Sequence, residues 1–315
     1  MRKLWSIIAL AIMLAALIGA YAYLTKHPQD KNGADKKSEN KIDLLKLDQS
    51  KINIINIMNE KGNIILEKKS SKWIISQKEN IKLDDQFVGN IVEDFTNLSA
   101  DRLVDKDSKD LEQYGLKTPK VVATAYMEDG SSKTINLGNE TSDNSRYYIM
   151  IKDDPNVYAV SSSAGLSLNY SLNDIRDRNI SSLNNSDIKY LKFVNANSTI
   201  IEIKANDKNE LVITTPNTNN KKVDDNNFQD FLSTVTGMKI KDFIEDNNKS
   251  LSKYGLDKPS SELLIKDSKN ELHIYFGKDL SEGSIAFKLS GNPEIYSIDK
   301  SVIESLTSKA LNCLK

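Results

Sequence analysis

The chain has 315 residues, enough for one large domain or two ordinary ones, and its formal net charge is −1 from near-equal, interspersed acids and bases. That gives no field for steering nucleic acid, and no basic face is visible in the sequence. A single cysteine, Cys313, excludes an internal disulfide, and two histidines exclude a His-rich zinc site. The abundance of Asn, Lys, Ile and Ser reads as the codon bias of an AT-rich genome. Asn-rich loops and sequons such as Asn197-Ser198-Thr199 therefore carry little functional weight.

The first element in chain order is apolar. Leu4 to Leu24 contains no charged residue and has the length of about 20 residues that a bilayer-spanning helix needs. Trp5 at one end and Tyr21 with Tyr23 at the other suit the two membrane interfaces. Ala20-Tyr21-Ala22 offers a cleavage site of the A-x-A kind, but the apolar run exceeds the ~7–15 residues of a signal h-region, which favours an uncleaved anchor. Arg2 and Lys3 predict a cytoplasmic N-terminus, and hence an extracytoplasmic bulk, although Lys26, Lys31, Lys36 and Lys37 lie on the other flank. Cys313 is far from the position a lipoprotein cysteine would occupy. Residues 26–41 are polar, carry Pro28 and Gly33, and read as a flexible tether.

From Ile42 the pattern becomes globular. Ile52–Ile57 and Asn63–Glu67 alternate around the hairpin turn Glu60-Lys61-Gly62, and Trp73-Ile74-Ile75 supplies a third strand. Asp84 or Asp85 then caps a helix whose apolar residues are Phe87, Val88, Ile91, Val92, Phe95 and Leu98. Next comes the hexapeptide Tyr114-Gly115-Leu116-Lys117-Thr118-Pro119. Strands are expected at Val121–Tyr126, Thr134–Leu137, Tyr147–Ile151 and Val157–Val160, and a helix near Ala164–Ile175.

The same order then returns at a nearly constant offset. Ile188–Val194, Ile200–Ile203 and Leu211-Val212-Ile213 are followed by Asp224-Asp225 and by Phe228, Phe231, Leu232, Val235 and Met238. A second hexapeptide follows, Tyr254-Gly255-Leu256-Asp257-Lys258-Pro259. Leu137-Gly138 has its partner in Phe276-Gly277, and Pro155-Asn156-Val157-Tyr158 in Pro293-Glu294-Ile295-Tyr296. A helix near Ser301–Leu314 closes the chain, with Ser301 and Glu304 as a capping box. Duplication fixes architecture more than activity, because a packing unit recurs readily where a complete catalytic site does not.

Trp73, the acidic pair Asp84-Asp85, the hexapeptide, Leu137-Gly138 and Val157-Tyr158 resemble a known bacterial family, the domain of unknown function 4340. The second copy repeats the pattern more loosely, with Leu211 where Trp73 stands, so the resemblance covers roughly Ile52 to the C-terminus. It implies a membrane-anchored, largely extracytoplasmic protein associated with ABC-type transport systems. It supplies no catalytic residue to carry over.

Each candidate site has a structural explanation beside it. The hexapeptide as a ligand loop competes with a fixed turn, in which Gly takes positive φ, Pro sets the next strand and Tyr with Leu pin the loop. Asp84-Asp85 and Asp224-Asp225 as a cation site compete with helix capping. Asp105, Asp107, Asp110 and Glu112 lack the central Gly and terminal Glu of an EF-hand and read as a solvated acidic loop. Gly277-Lys278 lacks the upstream Gly of a phosphate loop. His27 falls in the tether and His273 in a strand. No catalytic, cofactor-binding or metal-binding residue is assigned.

The expected fold class is α+β: an N-terminal transmembrane helix (residues 1–25), a tether (26–41), and two tandem repeats (42–180 and 181–315). Each repeat is a mainly antiparallel strand meander with packed amphipathic helices. The expected role is a non-catalytic accessory or scaffold protein of the cell membrane, anchored through residues 4–24 and working with ABC transporter permease or ATPase subunits or other envelope proteins. The alternatives are a module binding a small ligand or glycan between the copies, and an envelope hydrolase using scattered Asp and Glu.

Overall fold

The computed structural model describes residues 41–315, apart from Gln77, Asn248, Ser281 and Glu282. The expected anchor, the tether up to residue 40 and His27 lie outside the described residues. Among those described, no helix is long and apolar enough to cross a membrane.

The alternating segments form strands as their period requires. β1 (Ile42–Asp43) is short, and β2 (Ile52–Asn59) and β3 (Gly62–Lys69) form a hairpin with Asn59 opposite Gly62, so Glu60-Lys61 is a two-residue turn. β4 (Lys72–Ile75) pairs with β3. Helix α1 (Asp85–Thr96) buries Val88, Ile91, Val92 and Phe95, the predicted apolar stripe. Phe87 differs: it is 36% exposed and meets Tyr170 edge-on, ring centroids 5.2 Å apart. β5 (Ser99–Ala100) pairs with β1, and β6 (Arg102–Asp105) follows. Then come β7 (Val121–Met127), β8 (Ser132–Glu140), β9 (Arg146–Ile151), β10 (Val157–Ser161) and helix α2 (Ser162–Leu168).

The second copy supplies β11 (Ile188–Asn195), β12 (Ser198–Ala205), β13 (Leu211–Thr215), α3 (Asp225–Gly237), β14 (Asp242–Glu245), β15 (Ser261–Asp267), β16 (Glu271–Asp279), β17 (Ser284–Leu289), β18 (Ile295–Asp299) and α4 (Ser301–Cys313). The two eight-stranded sheets have strand orders β4-β3-β2-β7-β8-β9-β10-β6 and β13-β12-β11-β15-β16-β17-β18-β14. These are one topology realised twice, in a mainly antiparallel α+β fold. Each sheet is the expected mainly antiparallel meander, with β6 and β14 flanking the last strands, β10 and β18, rather than their chain neighbours.

Packing divides the chain into two compact units. One holds the described residues up to Ile52 with Val92–Asn169; the other holds Asn53–Ile91 with Tyr170–Lys315. In the latter, α3 and α4 cover the second sheet. Phe228, Phe231, Leu232 and Val235 of α3 and Leu306, Ala310 and Cys313 of α4 meet Leu191, Phe193, Ile203, Ile265 and Phe276 of the sheet. Each large apolar side chain so buried contributes about 1.5–3 kcal/mol.

Two helix expectations are corrected. The helix expected over Ala164–Ile175 ends at Leu168, and a separate 3-10 turn, Leu172–Asp174, follows. Ser171 and Asp174 bond each other's backbone N–H groups, a cap that starts a new turn rather than continuing the old one. The capping box expected at Ser301 and Glu304 does not form. Lys300, with helical φ and ψ, is the flanking residue and makes no side-chain cap, which places Ser301 inside the first turn.

Candidate functional site

The hexapeptides lie in the crossovers from β6 to β7 and from β14 to β15. Gly115 and Gly255 have φ of 67° and 66°, the left-handed conformation that ends a helical turn. The turn is closed by Gly115 N–H to the Glu112 carbonyl (3.0 Å) and Leu116 N–H to the Leu111 carbonyl (2.9 Å); Leu256 N–H reaches the Leu251 carbonyl equally (2.9 Å). Leu116 and Leu256 are buried.

The loop then presses on a strand glycine. A Cβ at Gly138 would stand 2.2 Å from the Tyr114 carbonyl oxygen, and one at Gly277 would stand 2.1 Å from that of Tyr254. Asn139 N–H donates to the Tyr114 carbonyl at 2.9 Å. Tyr114 and Tyr254 donate their hydroxyls to Asp105 (3.3 Å) and Glu245 (3.0 Å), the last residues of β6 and β14. Tyr114 also packs edge-on against Tyr148. Thus the tyrosine, both glycines, the leucine and the acid form one internal clamp, made twice.

The other sequence candidates are dispersed. Asp84 accepts from the N–H of Gln86 (2.9 Å), and Asp224 from that of Asn227 (2.9 Å), so both cap helices. Asp105 belongs to an edge strand, not to the acidic loop expected there, and Glu245 ends the equivalent edge strand of the second sheet. These strands were missed because they are short and pair only with β10 and β18, which are distant in sequence. Glu112 pairs with Lys117 at the surface (2.9 Å). His273 lies in β16, its Nε2 3.2 Å from Glu262 and its Nδ1 3.1 Å from the Tyr275 hydroxyl. Cys313 is buried on α4, and burial pushes its thiol up to about 11.

Among the described residues, a charged cluster around the buried Arg176 was not anticipated. Arg176 follows the Leu172–Asp174 turn and is 3% exposed. Its Nη2 donates to Glu294 Oε1 at 2.5 Å, and its Nη1 to Asp246 Oδ1 at 3.0 Å. Phe243 of β14 stacks 3.7 Å from the guanidinium carbon. Glu294 also accepts from the Tyr296 hydroxyl, and Asn292 donates to that hydroxyl at 2.8 Å. Burial and the Glu294 carboxylate hold the Tyr296 phenol far above its ordinary range.

Lys78, before α1, reaches the other oxygen of Asp246 at 3.2 Å. Burial alone would raise the Asp246 carboxyl, but the bonds from Arg176 and Lys78 more than offset it and hold it below the usual range. Asp246 is thus the shared counter-ion of Arg176 and Lys78. The signal for this cluster was present in the repeat itself, since Glu294 stands where the first copy has Asn156.

Beside Arg176 lies a cavity of about 90 Å³. Its lining combines the polar Arg176, Glu294, Tyr296 and Asn292 with the apolar Ile180, Ile240, Phe243 and Leu289. Asn80, Lys82, Asp177 and Asn179 complete the lining. No group of His, Cys, Asp and Glu side chains able to hold a metal ion occurs among the described residues.

The family model described as Domain of unknown function (DUF4340) matches residues 73–250 and again residues 214–315. The first match begins in β4 and the second in β13, the equivalent strand. No curated protein and no solved structure matches the chain.

Proposed function

The chain belongs to the DUF4340 family, and from that premise we propose that it is a non-catalytic, membrane-anchored, extracytoplasmic accessory or scaffold subunit of an ABC-type transport system of the cell envelope. Leu4–Leu24 serves as its single transmembrane helix on this reading, from apolar length and flanking aromatics. The observation that carries the proposal is the clamp. Residues repeated between the copies are engaged in packing, with Tyr114 and Tyr254 closed over Gly138 and Gly277, so the shared signature supports a build rather than a reaction. The sheet edges β4, β6 and β14 are where backbone groups remain for a partner, whereas β13 is covered by the segment around Lys222.

Crosslinking of the full-length chain in its native membrane, followed by mass spectrometry, tests this. The expected outcome is enrichment of ABC permease or ATPase subunits, with the chain retained in the membrane after an alkaline carbonate wash. Release by carbonate overturns the anchor, and recovery of no transporter subunit overturns the accessory role. A small-ligand role has one specific feature in its favour, the cavity beside Arg176.

A further inference from the structure

The cavity beside Arg176 carries polar groups beyond those that neutralise the guanidinium. Lys82 lines it, is exposed, and among the described residues its ammonium has neither hydrogen bond nor ion pair. Asp177 lines it too, and its Oδ1 accepts from the backbone and side-chain nitrogens of Asn179. The charges in the lining cancel: Lys82 and Arg176 against Asp177 and Glu294. Arg176 and Glu294 already satisfy each other, which leaves one cation and one anion, Lys82 and Asp177, to face a guest.

Size and wall narrow the guest further. At about 90 Å³, the liquid volume of about three waters at ~30 Å³ each, the cavity holds one small solute. Sugar rings and nucleotides take pockets of roughly 300 Å³ or more, so this cavity suits a smaller guest. Ile180, Ile240 and Leu289 add apolar surface to the lining. A net anion would leave Asp177 facing like charge, and a net cation would do the same to Lys82.

We propose that this cavity binds a small zwitterion, an α-amino acid of glycine or alanine size. The carboxylate meets Lys82, the ammonium meets Asp177, and the methyl group of alanine lies against the apolar lining residues. The site does not depend on membrane anchoring or on a transporter partner.

Saturation-transfer NMR on the full-length chain in detergent tests it, with alanine, glycine and leucine as probes. Transfer to the alanine methyl is expected, glycine displaces it, and leucine gives none because its side chain exceeds the cavity. Lys82→Ala removes one charge-assisted bond and weakens alanine binding by about tenfold or more. Its thermal transition stays unchanged, because the exposed ammonium holds nothing in the fold. Asp177→Asn, which can keep the Asn179 contacts, produces a similar loss. No transfer to alanine, equal transfer to leucine, or alanine binding untouched by Lys82→Ala overturns the proposal.

Discussion

At the scale of single residues, Gly138 and Gly277 show why a glycine stands inside a strand in both copies. The Tyr114 and Tyr254 carbonyls occupy the space a Cβ would take, so Gly138→Ala or Gly277→Ala must displace the clamp. The expected loss is about 1–3 kcal/mol or more each, read from urea unfolding. Gly89, on α1, has nothing within 4 Å of its would-be Cβ, and Gly89→Ala should raise stability by up to about 1 kcal/mol in the same experiment. Asp94 on α1 offers a second test. It accepts from the Ser167 hydroxyl on α2, yet burial outweighs that bond and pushes its carboxyl up to about 6, from an ordinary 3.8. Between these values the folded chain binds more protons than the unfolded one, so this group's contribution to stability falls as pH rises, and its penalty is complete above pH 6. Asp94→Asn should remove that limb of the stability profile and stabilise the chain at pH 7 by at most about 3 kcal/mol.

At the scale of elements, the Arg176 cluster joins three separate pieces of one unit: the segment after the Leu172–Asp174 turn, the edge of β14, and the approach to β18. Arg176→Ala leaves Glu294 buried without its cation and should cost about 3–5 kcal/mol. Arg176→Met with Glu294→Gln together should cost much less, and a double-mutant cycle reads the difference. Additive losses would show that the two groups do not act as a pair. Helix α1 and the β2–β3 hairpin were legible because period and turn chemistry are local signals. The end of α2 was not. Its stop depends on Ser171 and Asp174 bonding each other's backbone, a choice between two turns that apolar spacing leaves open. β6 and β14 escaped because an edge strand of four residues pairs with a partner distant in sequence.

For the whole molecule, duplication was readable from one end of the globular part to the other. The hexapeptides, the acidic pairs, Leu137-Gly138 with Phe276-Gly277, and the proline-led last strands recur in order. The two sheets carry that order through to an identical strand arrangement. Residues that differ between the copies escaped the same comparison: Glu294 in place of Asn156 is one substitution in a matched segment, yet it receives the buried guanidinium of Arg176. By itself the sequence determined the family, the α+β class, the two copies and the Asp84 and Asp224 caps, because periodicity, capping and repetition act over short stretches of chain. Only the tertiary structure decided that the hexapeptide closes over a strand glycine, that β6 and β14 flank β10 and β18, and that Arg176 gathers Glu294 and Asp246 around a small cavity. Those outcomes rest on groups far apart in sequence. Their meeting depends on the burial and geometry of the finished fold, where an unpaired charge or an extra methyl group carries a free-energy penalty that no local pattern records.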